Sequence, residues 1–163
     1  MNSIEETQKM DLGEFRTKVC ALEEKINALP DALIEREHID KANPLEHFFG
    51  DGMYIRKITM PAGQLIVSKI HRQTHPFFIV EGEASVLTEE GVQHIKAPYF
   101  GMTPAGTKRV LYIHEKTVWI TVQTTEETNM EAIEKDVMAP NFNDLEITQI
   151  EFNLLTKGKE CLG

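Results

Sequence analysis

Two histidines, His71 and His75, lie at either end of a short polar turn between two apolar runs, QLIVSKI and PFFIV. Imidazoles at adjacent strand ends can converge on one point, as metal ligands or as donors and acceptors in a ligand pocket. Lys69 sits two residues before His71, so on an extended strand both side chains share a face. Arg109 follows a second Pro-Ala-Gly turn, at 104–106, with Lys108 beside it and Tyr112 three residues on. Lysine offers a point charge and arginine a planar fork suited to carboxylate or phosphate. The residues that could do chemistry are therefore His71 and His75 as metal ligands, with Lys69, Arg109, Tyr112 and Arg72 as contacts to a small anion. In competition with these roles, the histidines could be hydrogen-bonded pocket residues without metal, and the long cations could extend to solvent over their alkyl stems.

The elements that must position these groups follow from the pattern of the chain. With 163 residues, 41% hydrophobic and 26% charged, the chain has the size and composition of one globular domain with extra segments at its ends. Residues 1–43 read as a helical arm. Asp11 and Glu14 form a capping pair before an amphipathic stretch that ends at Pro30. Its apolar residues Phe15, Val19, Leu22, Ile26 and Leu29 follow a four-three spacing. That is a narrow seam, suited either to a second copy in a homodimer or to a fold-back on the same chain. Asp31 is placed to cap a second short helix, ALIEREHI, before Asn43-Pro44 breaks the chain.

From 44 to 126, short apolar or alternating runs recur between Gly, Pro and Asp turns. Such runs, rich in Val, Ile, Thr and aromatics and without helical crossovers, predict an all-β antiparallel barrel or sandwich. Trp119, between Val118 and Ile120, reads as core packing, and Phe48-Phe49 as a seal on the barrel end or an interface. The segment 127–163 reads as a C-terminal extension, with a short helix before Pro140 and a weak strand around Ile150, Phe152 and Leu154.

The frame of turns and site residues resembles that of the cupins. Their first motif runs G-x5-H-x-H-x3–4-E-x6-G. Counted from Gly63, its positions fall on Lys69, His71, His75 and Gly82. Pro104 and Gly106 match the second motif, whose histidine position is taken by Arg109. Only His71 keeps a usual ligand role. The resemblance covers about half the chain and implies a single cupin-type antiparallel β-barrel (double-stranded β-helix), with the helical arm and C-terminal extension added. More narrowly, the stretches around Pro61, His71, Ala97-Pro98, Pro104–Val110 and Thr117–Trp119 are similar to small cupin-like proteins of phage and prophage genomes. The cupin resemblance implies one divalent metal, Fe, Mn, Zn or Ni, at His71 and His75, a third ligand being sought among His114, His47 and Glu81. His114 lies five residues beyond Arg109, about 16 Å along a strand. Three functions stay open: a small-molecule or metal-binding cupin with a His/Lys/Arg pocket for an anion, a metal-dependent or acid–base isomerase, lyase or oxygenase, and a virion-associated structural module.

Composition sets limits. Seventeen basic against 26 acidic residues give a net charge of −9, which argues against a general nucleic-acid surface. Against that background a local cationic cluster is informative. No apolar run reaches the roughly 20 residues of a membrane span. Cys20 and Cys161 lack metal spacing and fit a reducing compartment, so a cytoplasmic protein without a membrane partner is expected.

Overall fold

The computed structural model describes residues 10–142. The strand expected near Ile150 and the second cysteine, Cys161, lie outside them. The elements are α1 (Leu12–Asn27), α2 (Arg36–Ala42), β1 (Leu45–Gly50), β2 (Met53–Met60), β3 (Leu65–Val67), β4 (Ile70–His71), β5 (His75–Thr88), β6 (Gly91–Lys96), β7 (Tyr99–Thr103), β8 (Val110–Thr124), α3 (Met130–Val137) and β9 (Met138–Ala139). No described helix is long and apolar enough to cross a membrane.

Two long strands organise the sheet. β5 has 14 residues and β8 has 15, and they pair antiparallel along most of their lengths. The second half of β8 carries β2, which carries β1, while its first half carries β3. Likewise the first half of β5 carries β7 and its second half carries β6. Register shifts between Ile79 and Ala84 mark the joint between the halves. Bulges of this kind bend a strand and raise its twist. The two halves fold face to face, since Met60, Phe77, Ile79 and Trp119 from one share a buried cluster with Val86, Ile95, Leu111 and Ile113 from the other. Trp119 is thus core, as its alternation suggests.

Gly82 occupies the joint at φ +96°, and a Cβ there would run into the Lys116 carbonyl oxygen and Thr117. Both the backbone conformation and the close approach of β8 select glycine.

The sheet does not close into the expected barrel. Its path is β1-β2-β8-β5-β6, and neither end strand pairs with the other. The strands at the open side are too short to continue a ladder, with three residues in β3 and two in β4. β4 instead pairs with β9 in a separate two-stranded ladder, Ile70 with Ala139 and His71 with Met138. β9 follows α3, whose start is capped by the Asn129 side chain and whose Ile133 and Val137 are buried with Tyr54 of β2.

The helical arm has its cover within the chain. Asp11 caps α1 by accepting from the Glu14 N–H at 3.1 Å. Phe15 and Val19 are buried against Val110, with Val67 and Leu87 alongside, on the outer face of one half-sheet. The first half of the seam, Phe15, Val19 and Leu22, therefore folds back on the protein's own strands, while Leu29 stays exposed. Glu23 of α1 ion-pairs with the buried Lys108. The second helix starts later than its sequence suggests, at Arg36 after a Glu35 cap that makes no side-chain hydrogen bond. Asp31, Ala32 and Leu33 line a cavity instead of forming a helical turn.

Replacing Gly82 by valine is expected to cost at least about 2 kcal/mol, because strain at positive φ adds to the clash with Lys116. Urea denaturation checks this, and an unchanged midpoint would remove Gly82 as the joint of the two halves.

Candidate functional site

The cavity lies between the inner faces of the strands and the arm, with a volume of about 550 Å³. Its floor is built in rows, since residues paired across adjacent strands share a face. One row is Ile79, Trp119 and Ile58; the next is Phe77, Thr121 and Arg56. Ile26, Leu29, Leu33 and Ile39 from the arm close the opposite wall. The cavity thus crosses the boundary near residue 43 that composition suggests.

Both expected histidines line this cavity, with ring centroids 4.4 Å apart. His75 opens β5 opposite Thr103 and is 2% exposed. Its Nδ1–H donates to the Gln73 carbonyl at 3.0 Å, leaving Nε2 as the unprotonated nitrogen. His71 is held through β4, and its carbonyl accepts from the Gly106 N–H at 2.8 Å, tying it to the second Pro-Ala-Gly turn. The Gln123 amide donates to His71 Nδ1 at 2.6 Å. Burial, then the charge of His75 and the nearby arginines, lowers the His71 pKa to about 3. Burial lowers that of His75 as well. Both rings are neutral at physiological pH.

Arg109 enters the same cavity. Its guanidinium donates to Thr103 Oγ1 and lies over Phe77, 4.9 Å from the ring centroid, and near Trp119, at 5.9 Å. Aromatic faces stabilise a cation where water is scarce. Burial brings its pKa down to about 10, which leaves it charged. Serine 68 fixes the backbone, since Ser68 Oγ accepts from the Arg109 N–H at 3.0 Å.

Arg56 was not singled out by the sequence. It lines the cavity from β2, opposite Thr121. It forms no hydrogen bond or ion pair with a described residue. The signal lay in the alternation Tyr54, Arg56, Ile58, Met60, which puts an arginine on an otherwise inward face. Thr121 Oγ1 and Gln123 Oε1 are buried without a hydrogen-bond partner among the described residues. Of the two acids at the cavity, Glu23 is engaged by Lys108, and Asp31 sits on the exposed turn of the arm.

Of the remaining expected contacts, Lys69, Arg72 and Tyr112, only Lys69 reaches the cavity. Lys69 stands at the rim, 61% exposed and 3.7 Å from Glu134. Arg72 lines a separate hollow beside α3, where its Nε donates to the Met138 carbonyl at 3.0 Å. Tyr112 is on the outer face, because its neighbours Leu111 and Ile113 take the inward positions of β8, and it packs edge-on against His114. Neither Arg72 nor Tyr112 lines the cavity.

A resident divalent metal does not fit this donor set. Among the described residues no three His, Cys, Asp or Glu side chains converge. The sought third ligands are engaged elsewhere: His114 Nε2 with Ser85 Oγ at 2.7 Å, His47 with the Tyr54 hydroxyl at 2.9 Å, and Glu81 with Lys116 at 2.9 Å. Two guanidinium groups near two imidazoles further disfavour a cation.

Neither a family model nor a curated protein matches the chain in sequence. Solved structures do match its fold. Ectoine synthase from P. lautus superposes with a TM-score of 0.50 at 14% identity, over 71% of this chain and 84% of that one. A protein containing a cupin-2 domain from Shewanella frigidimarina gives 0.43 at 8% identity, over 50% and 79%. A putative ethanolamine utilization protein Q from Salmonella typhimurium gives 0.44 at 15% identity, over 51% and 69%. The fold is cupin-like, mostly antiparallel sheet with an N-terminal helix.

The depressed histidine pKa has a consequence for stability. Unfolded, His71 takes up a proton below pH 6.5; folded, it resists until about pH 3. Its contribution is fully present above pH 6.5 and is lost by about 1.4 kcal/mol per unit as pH falls through that window. Urea titrations at pH 7, 6 and 5 are expected to show this slope, reduced by about one proton in His71→Gln. Elemental analysis of the purified chain is expected to find Fe, Mn, Zn and Ni well below one equivalent. Stoichiometric metal that disappears in the His71→Ala, His75→Ala double variant would reverse the conclusion on the donor set.

Proposed function

We propose that this cupin-fold protein binds a small anionic molecule, a carboxylate or phosphate, in the cavity between Arg56 and Arg109. One observation carries the reading: both guanidinium groups line a single cavity and neither has a carboxylate partner among the described residues. Charges withdrawn from water are costly unless paired and hydrogen-bonded. Arg109 is partly compensated by its aromatic neighbours and Thr103, whereas Arg56 is not. An anion would serve both.

The surrounding groups suit such a ligand. The unpartnered Thr121 hydroxyl, beside Arg56, can donate to an anionic oxygen. The neutral His71, whose Nδ1 accepts from Gln123, has its Nε2–H left to donate without adding charge, while the unprotonated Nε2 of His75 suits a hydroxyl hydrogen on the ligand. Trp119, Met60 and Leu111 supply apolar wall for a carbon skeleton. A cavity of about 550 Å³ falls within the range of small-molecule sites. In a chain of net charge −9 such a pocket attracts anions only locally, so specificity rests on direct contacts rather than long-range steering.

Thermal unfolding in inorganic phosphate, in succinate and in glycerol at matched ionic strength tests the reading. An anion at about a hundred times its Kd adds about 2.7 kcal/mol. That raises Tm by about 5–10 °C for a chain of this size. Glycerol is expected to give no such specific rise. Arg56→Met keeps the apolar stem and is expected to abolish the anion effect, while Arg109→Lys weakens it at least tenfold in Kd. The reading fails if neither anion raises Tm, or if the rise survives both substitutions.

A further inference from the structure

A second pair of histidines meets on the outer face of the half-sheet that α1 crosses, away from the cavity. Three adjacent strands, β6, β5 and β8, build the cluster. Ser85 stands in the middle, opposite His94 of β6 and Tyr112 of β8. His114, two residues after Tyr112, shares its face. Ala84, Val86 and Ile113 alternate with these residues and are buried in the core, so the cluster looks outward. The His94 and His114 ring centroids are 5.0 Å apart.

The hydrogen bonds fix what each ring can offer. His94 Nε2–H donates to the Glu83 carboxylate at 2.5 Å. A carboxylate only accepts, so in the neutral ring Nδ1 carries no proton. That bare nitrogen lies 3.3 Å from Ser85 Oγ, and His114 Nε2 lies 2.7 Å from the same oxygen. The hydroxyl has one proton to give and serves one nitrogen at a time. Tyr112 packs edge-on against His114 and steadies its ring. The charges around the cluster favour a cation. Glu83 is paired in register with Glu115, Lys96 lies 3.6 Å from Glu83, and Lys116 is engaged by Glu81 at 2.9 Å.

We propose that His94 and His114 form a surface site for one late first-row divalent cation, Zn²⁺ or Ni²⁺, with the Ser85 hydroxyl beside it. Imidazole nitrogens suit these ions, whereas Mg²⁺ prefers oxygen ligands. A histidine that binds a metal usually gives its other N–H to a carboxylate, which sets the tautomer and raises the basicity of the ligating nitrogen. Glu83 holds that place behind His94. It is a positioning residue and not a third ligand, since among the described residues no three His, Cys, Asp or Glu side chains converge. Held by two protein nitrogens, the ion exchanges with chelators and is not retained through purification. The cavity differs, because its imidazoles are backed by Gln73 and Gln123 and sit with Arg56 and Arg109. The surface site therefore stands whether or not the cavity binds an anion.

Isothermal titration calorimetry of the chelator-treated full chain with Zn²⁺, Ni²⁺ and Mg²⁺ tests the proposal. Zn²⁺ and Ni²⁺ are expected to bind and Mg²⁺ not. His94→Gln and His114→Gln are each expected to weaken Zn²⁺ at least tenfold, and Glu83→Gln by about 10–100-fold. His38→Gln, on the exposed helix α2, is expected to leave Zn²⁺ binding unchanged. Long-range ¹H–¹⁵N spectra of the wild type give a reading that needs no variant to fold. In them Zn²⁺ is expected to move His94 Nδ1 and His114 Nε2 while His94 Nε2 stays protonated. Three results overturn the proposal: no Zn²⁺ bound, binding undiminished in a folded His94→Gln, His114→Gln double variant, or Zn²⁺ that shifts the nitrogens of His71 and His75 instead.

Discussion

The β5–β8 ladder is the constraint on which the other elements depend. Each strand serves two half-sheets, so the same hydrogen-bonded pair fixes both layers and the space between them. The arrangement requires the strands to bend at one place, and the register shifts beside Gly82 supply the bend. Once they bend, inward positions on β5 and β8 are set by alternation. His75, Phe77 and Ile79 then face the same interior as Trp119, Thr121 and Gln123, and β2 adds Arg56 beside Thr121. The geometry of the site follows from the ladder rather than from loops built around it.

The cost of that site falls on its cations. A guanidinium next to Phe77 and Trp119 keeps its charge, and burial only lowers its pKa. The two imidazoles respond the other way and stay neutral, because burial disfavours their charged forms and the nearby arginines, both for His71 and Arg109 for His75, add to that. The cavity therefore holds two fixed positive charges and several uncharged hydrogen-bonding groups. Such a set of groups suits a carboxylate or phosphate better than a metal ion.

Much of the fold was legible in local signals. The capping pair at Asp11 and Glu14, the turns at Gly63 and Gly106, and the recurring short strands all appear where composition placed them. Closure was not legible, since whether the outer strands of a sheet meet depends on strand lengths such as those of β3 and β4. The fate of the α1 seam was open for a related reason: an apolar stripe specifies that it will be covered, not by what. Of the site, His71, His75 and Arg109 were found from their spacing to the two Pro-Ala-Gly turns. Arg56 lies in a strand with no motif of its own, and only its register against Thr121 brings it to the cavity. Tyr112 was misplaced because proximity to Arg109 in sequence hid a change of face.

The pairing of β4 with β9 bears on how the protein is made. His71 lies on a two-residue strand whose ladder partner begins at Met138, and the neighbouring Arg72 N–H donates to the Val137 carbonyl at 2.8 Å. During synthesis the long strands emerge first and can pair with one another before that partner exists. The histidine then waits for some seventy further residues of nascent chain before its strand is secured. The layers of the sheet are thus set by long strands, while the wall at His71 is completed by a segment that follows all of them in the chain.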